Sequence, residues 1–286
     1  MGNVSTAAVQ QYTDNIRLLV QQEMGKLRNT VLVDSNFTGE FKFYDQLGAD
    51  EMTEKVSRNQ DTPTDQPDHK RRRVSKRDFV HNKLLDQEDQ LNMIVDPKGK
   101  YSQSAAMAAA RAEDDLIIDA FNATAYTGKT GSDSTSFDAD NQVAAGAVGM
   151  TKTKMLSAKL LLDNAEVEAA NRYAVMAPQQ LNDLLNTTEV TSADFNTVRA
   201  LVDGDLDTWL GFKIIKSTRL AVDGSSSRLT YFYHKAAMQL AIQKEPTARA
   251  DQRPDKNYAW QVFMSMSMGS TRLEEARIVQ VACVEA

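Results

Sequence analysis

The run SQSAAMAAARAEDDLIIDAFNATAY, residues 102–126, sets the strongest limit on what this chain can fold into. Alanine and straight-chain residues dominate it, and these lose little rotamer freedom in a helix. The composition predicts one helix of about 24 residues, hence about 36 Å long. Ser102 or Ser104 can cap its start, and Thr127-Gly128 can end it. Its small side chains allow another element to pack closely along much of its length. A rod of this kind has to be braced by sheets or by other helices.

Residues 40–100 have the opposite character: charged, poor in large apolar residues, and with Pro63 and Pro67 four apart. Their charges are segregated. Residues 45–66 hold six acids (Asp45, Asp50, Glu51, Glu54, Asp61, Asp65) against two bases, a net of −4. Residues 67–79 hold six bases (Lys70, Arg71, Arg72, Arg73, Lys76, Arg77) against two acids, a net of +4. The pattern predicts a long polar β-hairpin with an acidic limb, a turn near Pro63 to Pro67, and a basic limb. Such a hairpin is marginal alone, because it buries little apolar surface.

The remaining chain alternates between elements. Val9, Tyr12, Ile16, Leu19, Val20, Met24 and Leu27 form an apolar stripe at helical spacing over residues 7–27. Residues 128–150 read as loop. TKTKMLSAKLLLDNAEVEAANR, from Thr151, predicts a helix with a threonine N-cap, and YAVMAP (173–178) a buried strand. PQQLNDLLN begins a helix with Pro178 in its first turn, and SADFNTVRALV is helical again. DGDLD then turns the chain into WLGFKIIKS, a strand. In the last third, LTYFYH and MQLAI flank a short connection. Tyr258, Trp260, Val262, Met264, Met266 and Met268 occupy alternate positions of a strand with one face in a core. ARIVQVACV, apolar on both faces, closes the chain as an internal strand.

Composition narrows the chemistry. A net charge of −6 gives the whole protein the wrong sign for a polyanion, so any nucleic-acid face has to be local. The single cysteine, Cys283, sits in an apolar run and reads as core; it rules out a disulfide framework within the chain. No window approaches the roughly 18 uncharged apolar residues of a membrane helix. His69, His81 and His234 lack a second ligand at metal-site spacing. Thr127-Gly128-Lys129-Thr130 ends like a phosphate-binding loop, but Ala123 stands where the first glycine is needed, and a helix precedes it instead of a strand. Asp203, Asp205 and Asp207 begin like a calcium loop whose sixth and twelfth positions, Thr208 and Ile214, do not fit. Glu113-Asp114-Asp115 and Glu274-Glu275 have no evident partner base or nucleophile. The sequence therefore points to no catalytic residue, no metal site and no cofactor. The basic run has one nearby aromatic, Phe79, and an acidic limb before it, so carboxylates on a protein surface suit it better than phosphates.

The order of these parts resembles the major capsid protein of tailed bacteriophages, in a podovirus-like subgroup. Particular strings carry the likeness: WLGFKIIKSTRL (209–220), with Gly211, Phe212, Ser217 and Leu220 in place; YAVMAPQQLNDLL (173–185); and RPDKNYAWQVFMSMSMGSTRLEEARIVQV near the end. The resemblance implies an α+β, Hong Kong 97-type capsid fold with N-arm, E-loop hairpin, long spine helix, P-domain β-sheet and α/β A-domain. It implies an N-terminal arm over 1–39, an E-loop hairpin with flanking P-domain strands over 40–100, and a spine helix with its following loop over 101–150. An A-domain over 151–222 and P-domain strands with chain closure over 223–286 complete the division.

The function implied is a shell protein, with no enzymatic activity and no cofactor, assembling as hexamers and pentamers into an icosahedral head that packages double-stranded DNA. Lys70, Arg71, Arg72, Arg73, Lys76 and Arg77 on the basic limb, and Asp50, Glu51, Glu54, Asp61 and Asp65 on the acidic limb, are then expected to contact neighbouring subunits. Tyr12, Ile16 and Leu19 of the N-arm are expected to do the same. Expected partners are further copies of the chain, a separate scaffolding protein, a portal protein, a decoration protein, and packaged DNA through weak non-specific contact, with no membrane. The recognisable arm starts close to Met1, which implies no proteolytic processing, and no match to a cross-linking Lys–Asn pair is expected. Encapsulin shells share this fold. A cytoplasmic nucleic-acid-binding protein using residues 70–77 is the rival of a different class.

Overall fold

The computed structural model describes residues 22, 24–50, 52–61, 67–85, 98–186 and 208–285. Most of the expected helix over 7–27, the helical segment SADFNTVRALV and the carboxylates Asp203, Asp205 and Asp207 lie outside them; the described end of that expected helix, residues 24–27, is not helical. The chain divides into two compact units. The smaller takes residues 77–112 and 244–267 with the N-terminal stretch, and the larger takes 26–76, 113–243 and 268–286.

A six-stranded sheet forms the centre of the larger unit. Its strands are β7 (Gln142–Val143), β8 (Arg172–Met176), β9 (Thr208–Trp209), β10 (Phe212–Lys216), β11 (Ser227–His234) and β14 (Ile278–Val284). They lie in the order β7-β14-β11-β8-β10-β9. β14 is internal, as its two apolar faces require, and Cys283 within it is fully buried. The expected domain boundary at residue 222 cuts this sheet, because β11 and β14 hydrogen-bond into it beside β8. β11 is buried on both faces, and its two edges are satisfied by β14 and β8.

Helices α2 (Lys152–Asn164) and α3 (Pro178–Leu185) belong to this unit. Met155, Leu162, Leu181 and Leu184 join Phe212, Phe232 and Val281 in one core cluster. The Thr151 side chain caps α2 by accepting the Lys154 N–H, as the sequence indicates. The helix stops at Asn164, short of the expected extent, where Glu166 takes φ 52°. β9 and β10 form a hairpin, not one strand: Leu210 (φ 51°) and Gly211 (φ 89°) make its two-residue turn, which requires positive φ at both positions.

The long helix α1 (Lys98–Asn122) has 25 residues. It starts before Ser102 and Ser104, which therefore lie inside it and do not cap it. It also ends earlier than expected, because Ala125–Thr127 is β5, a strand paired with Arg72 and Arg73. Gly128 (φ 88°) consequently turns the chain between β5 and β6 (Asp133–Thr135) instead of ending a helix.

Each acid of the 113–115 triplet holds a different segment. Asp114, 1 % exposed, accepts the backbone N–H groups of Lys26 and Leu27 at 3.0 Å. Asp115 takes Arg219 in a two-pronged ion pair, and Glu113 lies 3.6 Å from Arg28. These partners come from the larger unit, as do the aromatic contacts around Phe121, which stacks on Tyr231 at 4.6 Å.

β1 (Leu32–Asp34), β4 (Arg77–Leu85), β12 (Met238–Arg253) and β13 (Ala259–Arg272) form a four-stranded sheet in the order β1-β12-β13-β4. β13 buries Val262, Met264, Met266 and Met268, as the alternation predicts. Tyr258 breaks the pattern: it follows Asn257 into the left-handed region and stands 57 % exposed. In the smaller unit, alanines 105, 108, 109 and 112 of α1 face Phe79, His81, Met264 and Met266 across a cleft of about 220 Å³.

Candidate functional site

The basic limb forms one strand of a hairpin as expected, but its partner is Phe41–Leu47: Asp45 is the one acid of the 45–66 limb in the ladder, and the described residues 49–61 are exposed loop instead of a paired acidic limb. β2 (Phe41–Leu47) pairs antiparallel with β3 (His69–Ser75), from Phe41 opposite Ser75 to Leu47 opposite His69. Gly48 N–H donates to Asp68 O at 2.8 Å and extends the ladder by a step. β5 and β6 continue the sheet on the far side of β3, in the order β2-β3-β5-β6.

Pairing at period two sorts the side chains onto two faces. On one face, Arg71 donates from Nε to Asp45 Oδ1 at 2.5 Å, and its guanidinium lies 5.2 Å from the Phe43 ring centre. The Arg71 guanidinium holds the Asp45 carboxyl below its usual range. One step along this face, the Arg73 guanidinium sits between two rings, 4.6 Å from that of Phe41 and 4.5 Å from that of Tyr126. Gly131 (φ 68°) permits this closeness: a Cβ there would stand 2.6 Å from Arg73 Cδ and 3.0 Å from Phe43.

The opposite face is anchored in the body of the larger unit. Arg72 donates from Nε to Leu273 O at 3.1 Å and lies 3.4 Å from the Glu275 carboxylate. Glu275 also faces Arg272, whose side chain is wholly buried. Tyr44 donates to Asp34 Oδ2 at 2.8 Å, and Lys42 bonds the same carboxylate. Burial raises the Asp34 carboxyl, but Lys42, the Asn36 N–H and Tyr44 outweigh it and hold the group below its usual range. Burial and the adjacent Asp34 push the Tyr44 hydroxyl up.

Beyond this braced stem the chain from Ala49 to Asp61 is exposed wherever it is described. Met52 is fully open to solvent and Val56 is 82 % exposed. Asp50, Glu54 and Asp61 are exposed with them and make no ion pair among the described residues. Glu51 and Asp65, like Tyr12, Ile16 and Leu19 of the arm, lie outside the described residues. Lys70 is exposed on β3, Lys76 is half-buried, and Arg77 opens β4.

Of the expected contact residues, the structure therefore brings Arg71, Arg72 and Arg73 into contacts within their own chain. Phe41, Phe43, Tyr126 and Glu275 were missed. The alternation of Phe41, Phe43 and Asp45 against Arg71 and Arg73 was the available signal for the first two. Nothing near Tyr126 or Glu275 in the sequence announces their role.

His81 is the one titratable side chain lining the cleft of the smaller unit. A second, of about 310 Å³, is lined by Arg228 and Glu285, which bond each other in a two-pronged pair. Among the described residues no group of three or more His, Cys, Asp and Glu could hold a metal ion, and no helix is long and apolar enough to cross a membrane.

Comparison with known proteins identifies the architecture. The capsid structure of cyanophage P-SCSP1u superimposes with a TM-score of 0.78 at 15% identity, covering 100% of this chain and 96% of that one. The capsid of Ralstonia phage GP4 gives 0.73 at 10% identity, covering 98% and 96%. A Mycobacterium phage Che8 structure gives 0.72 at 17% identity, covering 95% and 96%. No curated protein matches the chain. The fold is thus the α+β, Hong Kong 97-type fold of phage capsid subunits. The family model for phage capsid protein matches residues 4–285, and the chain belongs to that family: it is a major capsid protein, a structural component of a phage shell.

Proposed function

We propose that copies of this chain assemble as hexamers and pentamers into the icosahedral head of a tailed phage, which encloses double-stranded DNA. Assembly takes place in the host cytoplasm, with a separate scaffolding protein, a portal and a decoration protein as partners. The subunit acts through contact surfaces and not through catalysis. Lys70, Lys76, Arg77, Asp50, Glu51, Glu54, Asp61 and Asp65 of the hairpin, with Tyr12, Ile16 and Leu19 of the arm, meet neighbouring subunits. Individually weak contacts then add through multiplicity.

One observation carries this reading beyond family membership. The hairpin stem is fixed by Arg72, Arg73 and Tyr44, while its loop presents Met52 and Val56 to solvent. Exposed apolar side chains on a braced projection suit a partner surface. The test is the double variant Met52→Asp, Val56→Asp. It should form no closed particles while its thermal unfolding matches the parent, since neither side chain supports the fold. Particles of normal size and yield would contradict the proposal.

A further inference from the structure

The cleft of the smaller unit and the start of the described chain meet on one helix. Arg111 of α1 donates from Nη1 to the carbonyl of Gln22 at 3.2 Å, and Gln22 is the first described residue. The chain before it therefore reaches α1 within one turn of Ala108 and Ala112, two of the alanines that line the cleft. With Ala105 and Ala109 they leave the cleft of about 220 Å³ against Phe79, Val80, Met264 and Met266. Its walls are mostly apolar, and Val80 is 65 % exposed. Among its polar groups, His81 Nδ1 is buried and has no hydrogen-bond partner among the described residues.

We propose that in the free subunit the N-terminal arm lies in this cleft of its own chain, and that it has to leave the cleft before it engages a neighbour. The inference rests on the arm contacts proposed above and adds where the arm is held beforehand. The stripe of Val9, Tyr12, Ile16, Leu19 and Val20 needs an apolar partner, and the alanine-lined cleft needs side chains to fill it. The lengths agree. On a helix, Leu19 stands about 4.5 Å and Ile16 about 9 Å from Gln22, while Ala105 stands about 9 Å from Arg111 on α1. Both side chains thus fall within the length of the cleft. Tyr12, about one turn further, is the one member of the stripe with a donor, and a neutral histidine ring can accept at Nδ1.

Connectivity decides between the subunit's own cleft and that of another copy. An arm whose root is fixed at Arg111 is present at its own cleft at an effective concentration of roughly millimolar. Dilute free subunits cannot compete with that. A neighbour takes the arm only once many shell contacts form together. The arm then acts as a brake on premature association, and its exchange between identical copies is the step that releases the brake.

The full chain with two substitutions, Leu19→Cys and Ala108→Cys, tests this on the unassembled subunit. Cys283 is fully buried, so the introduced thiols are the reactive ones. Diamide should close a disulfide within one chain, read as faster migration on a non-reducing gel and loss of both free thiols. The oxidised subunit should form no particles until it is reduced. A folded variant that keeps both thiols free would overturn the docking. Disulfide-linked dimers in dilute solution would assign the cleft to another copy's arm and overturn it as well. Oxidised subunits that assemble at the parent's concentration would show that the arm need not leave, and would overturn its role as a brake. Should the cysteine pair fail to fold, Ile16→Asp reads the same contact. Binding of the dye ANS should then rise severalfold as the cleft is uncovered, and binding equal to the parent's would overturn the inference. If the parent chain forms no particles at all, the shell function fails, while the thiol result still decides where the arm lies.

Discussion

The buried carboxylate of Asp114 accepts the backbone N–H groups of both Lys26 and Leu27 at 3.0 Å, which joins α1 to a segment almost ninety residues earlier in the chain. Leu27 itself is fully buried. Removing the acceptor leaves the buried Leu27 N–H without this partner, at about 1–3 kcal/mol. Asp114→Ala should therefore lower the urea midpoint of the isolated subunit clearly. Asp114→Asn, which keeps one acceptor oxygen, should lower it less.

Arg272 makes the second heavily used polar contact. Its side chain is wholly buried, donates to the carbonyls of Phe121 (3.0 Å) and Ala123, and faces Glu275. Arg272→Met would strand Glu275 with Arg72 alone and orphan those carbonyls. Breaking a buried pair from one side costs about 3–5 kcal/mol. The expected result is a subunit with a strongly reduced denaturation midpoint, read by circular dichroism; a midpoint within error of the parent would show that the guanidinium is dispensable.

Gly269 is required for space. A Cβ there would lie 2.4 Å from Ser75 O and 2.6 Å from Val74 Cγ1, so the β13 backbone passes directly over the end of β3. Gly269→Ala should destabilise the subunit by about 1–3 kcal/mol, the usual cost of overpacking. Calorimetry of the two subunits side by side measures it.

Acid should weaken the subunit through His234. Its Nδ1 accepts the Ala236 N–H at 3.2 Å, a bond open only to the neutral ring. Burial, and then the charges of Arg277 and Arg172, push its pKa below the ordinary value against an opposing pull from Glu168. The unfolded chain therefore binds the proton more readily. The stabilising contribution is present above about pH 6.5 and is lost as pH falls through the folded pKa. Urea midpoints measured from pH 7.5 down to 5 should fall, and His234→Gln should flatten the part of that slope due to this residue.

The sequence announced the features that depend on near neighbours. Alternation placed Met264, Met266 and Met268 in the core, Thr151 marked a helix start, and the basic run became a hairpin strand, although its partner is Phe41–Leu47 and not the acidic limb. Features set by distant contacts were not legible. β5 follows a strong helix former directly and is a strand only because Arg72 and Arg73 offer it a ladder. The acids at 113–115 resemble a solvated helix face, yet their partners are Arg28, the N–H groups of Lys26 and Leu27, and Arg219. Leu210 gave no sign of a turn, because a leucine at positive φ is chosen by the hairpin and not by its own preference. The same limit applied to the basic run: its sign was plain, but the sequence could not show that Arg71, Arg72 and Arg73 would be engaged at home.

Negative-stain electron microscopy of the purified, nuclease-treated protein tests the central claim most directly. The account predicts closed particles of uniform diameter with hexameric and pentameric units visible on their surface. A preparation that stays as small species at every concentration, with folded subunits by circular dichroism and with scaffolding protein supplied, would contradict it.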